Sequence, residues 1–139
     1  MITSVAPLIA LVAVQAGLSP VETTVCNVIA NPSAFDGKLV RFRAGVATDW
    51  THGMFLMDRS CEGRIQLSFM NAVPVDEAKA FDKAVGTELN GGFDRTAVAT
   101  FTGHISWKPK NDDDDFRYNA FKFKPQQINQ IEVSRRWKR

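Results

Sequence analysis

Cysteine is scarce, with Cys26 and Cys61 the only two in 139 residues. Two thiolates are too few for a zinc site built from several cysteines or for a densely cross-linked mini-scaffold. Histidine is as rare. His52 and His104 lie far apart and have no third ligand at a metal-binding spacing, so no metal centre is expected. No CxxC pair occurs, none of Ser33, Ser60, Ser68, Ser106 and Ser134 sits in a nucleophile elbow, and Gly91-Gly92 is not part of a phosphate-binding GxxxxGK[ST] loop. The 9 Gly and 6 Pro follow no period, which excludes collagen-like and low-complexity chains. The longest apolar stretch is at the N-terminus and is short for a membrane span. These absences point away from an enzyme and give no ground for a cofactor.

The composition is that of a globular protein. Apolar residues make up 45% and charged residues 23%, and the length suits one domain. Lys and Arg total 17 against 15 Asp and Glu, a net charge of +2. Four of the cations are Arg135, Arg136, Lys138 and Arg139. Without them the balance is 13 against 15, or −2. A basic 135–139 tail on a slightly acidic body weakens a nucleic-acid reading, which wants a broad basic surface.

Residues 1–20 carry no charged side chain. The run Val5 to Ala16 has the length of a secretory h-region, and Val14-Gln15-Ala16 offers small residues at −3 and −1 of a cut after Ala16. We expect a cleaved signal over 1–16, a domain over 17–134 and a periplasmic or secreted protein. The mature chain keeps no expected transmembrane segment. Export makes a Cys26–Cys61 disulfide the simplest use of the two thiols.

Along the chain, Thr23 or Thr24 caps a short helical pattern with Val25, Val28 and Ile29, which Asn31-Pro32 ends. Asp36-Gly37 turns. Residues 38–49 alternate, with Val40, Phe42, Ala44 and Val46 on one face and Arg41 and Arg43 on the other; Gly45 marks a bend or bulge. Residues 54–58 and 64–70 read as the next strands, the second with Ile65, Leu67 and Phe69 on one face. Residues 74–86 switch to helical period, with Pro74 at the start, Asp76 and Glu77 in the first turn and a stripe of Ala78, Phe81, Ala84 and Val85. Residues 96–107 form a long strand containing Gly103. Residues 116–124 form another, and 127–133 are its bent extension or a separate edge strand. Val40, Phe42, Val46, Leu56, Ile65, Leu67, Val98 and Ile105 are the expected core.

Three strands, a helix and two strands follow the order of the OB-fold. The expected class is mainly β: a five-stranded OB-like barrel with a helix between strands three and four and a short N-terminal helix. The stretch 25–58 includes Asn31-Pro32, Asp36-Gly37-Lys38, Val40-Arg41-Phe42, Gly45 and Met54-Phe55-Leu56-Met57-Asp58. With them it resembles small exported bacterial proteins with OB-like domains. The topology also puts Cys26, before strand one, and Cys61, after strand two, at the same end of the barrel.

The loop Asp49-Trp50-Thr51-His52-Gly53 offers Trp50 and His52 as candidate ligand-binding residues. Asp112 to Asp115 read as a solvated acidic loop that repels phosphates, although carboxylates are hard cation ligands. Arg135, Arg136, Lys138 and Arg139 are the candidate contact for a polyanion or an anionic lipid surface. The resulting expectation is an exported, non-enzymatic binding module of the cell envelope. The runner-up is a structural or inhibitory envelope protein acting through a protein interface, and third is a nucleic-acid-binding OB-fold.

Overall fold

The computed structural model describes residues 19–49, 53–85, 95–109 and 120–135. The chain enters through β1 (Val21–Glu22), a two-residue strand parallel to the next one. Helix α1 (Val25–Ala30) follows. Thr24 is its N-cap, and its hydroxyl accepts from the Asn27 amide at 3.0 Å, as that residue type does at a helix start. Asn31-Pro32 ends α1 and also begins a further short helix, α2 (Pro32–Phe35), with Pro32 at its first position, where a missing N–H costs nothing. The expectation of one N-terminal helix is thus corrected to two. Gly37 then turns with φ +77°, a left-handed conformation that glycine adopts freely.

Five strands close the barrel. They are β2 (Leu39–Asp49), β3 (Gly53–Met57), β4 (Ile65–Leu67), β5 (Arg95–Trp107) and β6 (Phe121–Arg135). Neighbours run β2-β3-β4-β6-β5, and β2 pairs back onto β5. The β4–β6 contact is parallel and the other four barrel pairings are antiparallel. Helix α3 (Val75–Val85) lies between the third and fourth barrel strands. This is the OB arrangement that the element order implies.

The core holds five phenyl rings, Phe35 at its margin and four at its centre. Phe42, Phe81, Phe101 and Phe123 are at most 2% exposed. Phe42 and Phe123 stand 5.1 Å apart, and Phe101 meets Phe81 and Phe123 edge-on at 5.9 and 6.3 Å. Such tilted and edge-on contacts suit the ring quadrupoles. Val40, Val46, Leu56, Ile65, Leu67 and Ile105 join them, as expected.

Three expectations are corrected. Val98 is only half-buried, because the period of two in β5 places Ala97, Ala99, Phe101 and Ile105 inward and turns Val98 to the other face. A bulkier side chain does not override that period. Phe69 is 87% exposed, since β4 stops at Leu67. The Ser68 amide still donates to the Phe123 carbonyl at 2.8 Å, and the chain then turns, so Val73 is buried instead. At Gly45 the bulge alternative is the one not realised, as the register there is unbroken; at Gly45 and Val46 β2 pairs with both β5 and β3, and beyond them with β3 alone.

The register shifts lie in the β5–β6 ladder, between Val98 and Thr100 and between Thr102 and Gly103. In each, β6 carries the extra residue. The alternative of a bent extension is therefore the one realised: 121–135 is a single strand. Gln130, within the first shift, has φ +50°. Pro125 sits at the second, where a residue without an N–H is tolerated.

Candidate functional site

Cys26 and Cys61 form a disulfide with a Cα–Cα distance of 5.7 Å, inside the ordinary range. It ties α1 to the turn between β3 and β4. Gly63 turns that segment with φ +111°, close against the Ile29 side chain of α1. The two ends meet as the antiparallel meander requires.

Trp50 and His52 lie outside the described residues, as do Asp112 to Asp115, Arg136, Lys138 and Arg139. Arg135 is the last residue of β6, in register with Arg95. His104 is exposed on β5, with Nδ1 3.2 Å from Nε2 of Gln126. Among the described residues, no group of three His, Cys, Asp or Glu side chains stands close enough to hold a metal ion. Among them also, no helix is long and apolar enough to cross a membrane.

The described surface carries one ordered polar lattice, on the outer face of β2, β5 and β6. Cross-strand partners share a face of a sheet, so Arg41 stands beside Thr102, and Arg43 beside Thr100. Arg41 Nε donates to the Thr102 hydroxyl at 3.2 Å, and Nη1 to Glu22 Oε1 at 2.8 Å. Arg43 Nη1 donates to the Thr100 hydroxyl at 3.3 Å and to the Gln130 carbonyl at 3.0 Å. Its Nη2 meets Glu132 Oε2 at 3.2 Å. The Thr100 hydroxyl donates to Gln130 Oε1 at 3.1 Å. The left-handed backbone at Gln130 belongs to this cluster. Alternation alone marked Arg41 and Arg43 as a wet face, but apart from Glu22 their partners come from strands some sixty and ninety residues away, which no local pattern reveals.

Two further features lie elsewhere. Phe55 is 6% exposed yet stands outside the core cluster, with the Arg64 guanidinium 4.5 Å from its ring centroid. Phe69 and Val75 leave large apolar side chains in solvent at either side of the loop from β4 to α3.

No protein-family model matches this chain. No curated protein matches it either. Among solved structures, the chain is similar to one described as "OBody AM3L09 bound to hen egg-white lysozyme", at 15% sequence identity and a TM-score of 0.43, over 75% of this chain and 88% of that one. A likeness of that size carries no argument about what this chain binds.

Proposed function

We propose that this protein is an exported, non-enzymatic binding module of the bacterial cell envelope. The observation that carries export is the Cys26–Cys61 disulfide, because such bonds persist in oxidising compartments and are reduced in most cytosols. The charge-free, apolar N-terminal segment agrees with it. Binding is the reading for the surface because the barrel interior is occupied by side chains, including four phenyl rings. Partners are therefore met on the outside. The tail residues Arg135, Arg136, Lys138 and Arg139 supply a contact to anionic surfaces.

The test has two parts. Protein recovered from the native host should start near Gly17, should fractionate with the envelope or medium, and should show no free thiol before reduction. Recovery of intact Met1 from the cytosol with two reactive thiols overturns the proposal. Separately, deleting residues 135–139 should weaken binding to anionic vesicles with little change in fold, since a chain end carries little packing. Undiminished vesicle binding would remove the tail from the site.

A second reading, an envelope protein acting through a protein interface, is favoured by Phe69, whose ring is 87% exposed. Chemical cross-linking in envelope preparations should then capture one defined complex that Phe69→Ser abolishes.

A further inference from the structure

The charges of the described residues are sorted in space. Arg41, Arg43, Lys122 and Lys124 share the outer face of β2, β5 and β6 with the carboxylates of Glu22 and Glu132 alone. Off that face the described side chains carry six acids, namely Asp36, Asp58 and Glu62 in turns and Asp76, Glu77 and Asp82 on α3, against six lysines and arginines. Among the described side chains the outer face thus carries a net charge of +2, four cations against two carboxylates, and the rest balance to zero. The two arginines are held ready. Each is fixed by a threonine hydroxyl of β5 and paired to a carboxylate more exposed than itself, with side chains 38% and 69% exposed for Arg41 and Glu22, and 39% and 78% for Arg43 and Glu132. Exposed ion pairs of this kind are worth little, so an incoming carboxylate can take the place of either glutamate. The guanidinium fork suits that exchange.

Around the arginines stand neutral donors and acceptors. Gln127 and Asn129 of β6 are exposed on the same face, opposite Thr102 and Thr100, and Gln130 is exposed beside them. Amides and hydroxyls of this sort match sugar hydroxyls. Among the described residues, this face carries no phenyl, phenol or indole side chain, and therefore no stacking platform of the kind that single-stranded nucleic acid uses.

We propose that the outer face of β2, β5 and β6 binds a carboxylated polysaccharide chain, with Arg41 and Arg43 on its carboxylates and Gln127, Asn129 and Gln130 on its hydroxyls. The two arginines are two residues apart on one strand, about 6.6 Å, so they engage successive charges along an extended polymer. The site deepens the proposed envelope-binding role and rests on it. It differs from the tail contact in its residues.

The experiment measures binding of the disulfide-bonded mature chain to polygalacturonate. Arg41→Gln with Arg43→Gln should weaken binding about tenfold or more, the loss expected for two charge-assisted contacts. Because those arginines also bridge strands, the deciding variant is Glu22→Gln with Glu132→Gln. It frees both guanidiniums and should tighten binding, a gain that misfolding cannot produce. Binding should persist without residues 135–139, should fade with added salt, and should be absent with the fully methyl-esterified polymer. Affinity that does not rise in the Glu22→Gln, Glu132→Gln variant overturns the site, whatever the arginine variant does. So does loss of binding on tail deletion alone, which would leave the envelope-binding role standing. Tighter binding of single-stranded oligothymidylate than of polygalacturonate would overturn the polysaccharide in favour of nucleic acid.

Discussion

Gly103 shows most sharply what a single residue does in this barrel. A Cβ there would collide with the Lys124 carbonyl oxygen and stand 2.8 Å from both Phe123 Cζ and Pro125 Cα. Two of those atoms are backbone and the third belongs to a core ring, so nothing at the site yields cheaply. Gly103→Ala should destabilise the protein by roughly 1–3 kcal/mol, the range for overpacking. Urea denaturation checks it; a midpoint equal to that of the parent would show that β6 shifts freely. Phe42 is the opposite case, a side chain 2% exposed at the centre of the phenyl cluster. Phe42→Ala should cost roughly 3–5 kcal/mol on the same assay, a large part of a small domain's stability. Phenylalanine at 42 was legible through alternation; glycine at 103 was legible only as part of a long strand. The same alternation turns Val98 outward, since it is out of step with Phe101 and Ile105. Phe69 was not legible, because its exposure depends on where β4 stops finding partners, and a partner is a property of the sheet.

Among the elements, α3 and β6 meet through one carboxylate. Glu77 Oε1 accepts from the Ile128 amide at 2.7 Å. The parallel register of β4 with β6 covers Gln66 with Lys122 and Leu67 with Phe123, so Ile128 lies past the end of that ladder. The helix thus satisfies a strand amide that the sheet does not, while Phe81 and Ala84 seal the core beneath. Glu77→Ala should cost about 1–3 kcal/mol, the penalty for leaving a partly buried donor unpaired, and Glu77→Gln should recover part of it through its amide oxygen. Equal stability of the alanine and glutamine variants would mean that water replaces the bond. Period, Pro74 and the acidic first turn made α3 legible. The role of Glu77 was not, because acids in a first turn also serve the helix dipole. The bulges of β6 were equally hidden. Pro125 hints at one, but Gln130 belongs to a residue type that seldom adopts positive φ.

For the whole molecule, the disulfide and the closure of the barrel are linked. The loop that the bond closes spans residues 26 to 61, a sequence separation of 35, and contains β2 and β3 entire. Cys61→Ser should lower stability by roughly 3–4 kcal/mol on the chain-entropy account. Thermal unfolding with and without reductant checks it, and identical transitions would mean that the unfolded chain keeps α1 beside the turn. Disulfide and barrel class were legible, the one from the placing of two cysteines and the other from element order. The outer-face lattice was not, because it draws on β1, β2, β5 and β6 at once. The barrel itself closes across β4 and β6 through the register pairs Gln66↔Lys122 and Leu67↔Phe123, whereas β5 and β6 pair along almost their whole length. Both seams of β4 are short, two register pairs to β3 and two to β6; opened at the latter, the cylinder becomes a curled sheet of β4-β3-β2-β5-β6 with two bare edges. Amides of β4 should therefore exchange with deuterium well before those at the centre of β5, as a segment with few partners does. An edge that appears only in that unrolled form is where a second chain would add a strand, so the short seam also sets how readily the protein aggregates on mild destabilisation.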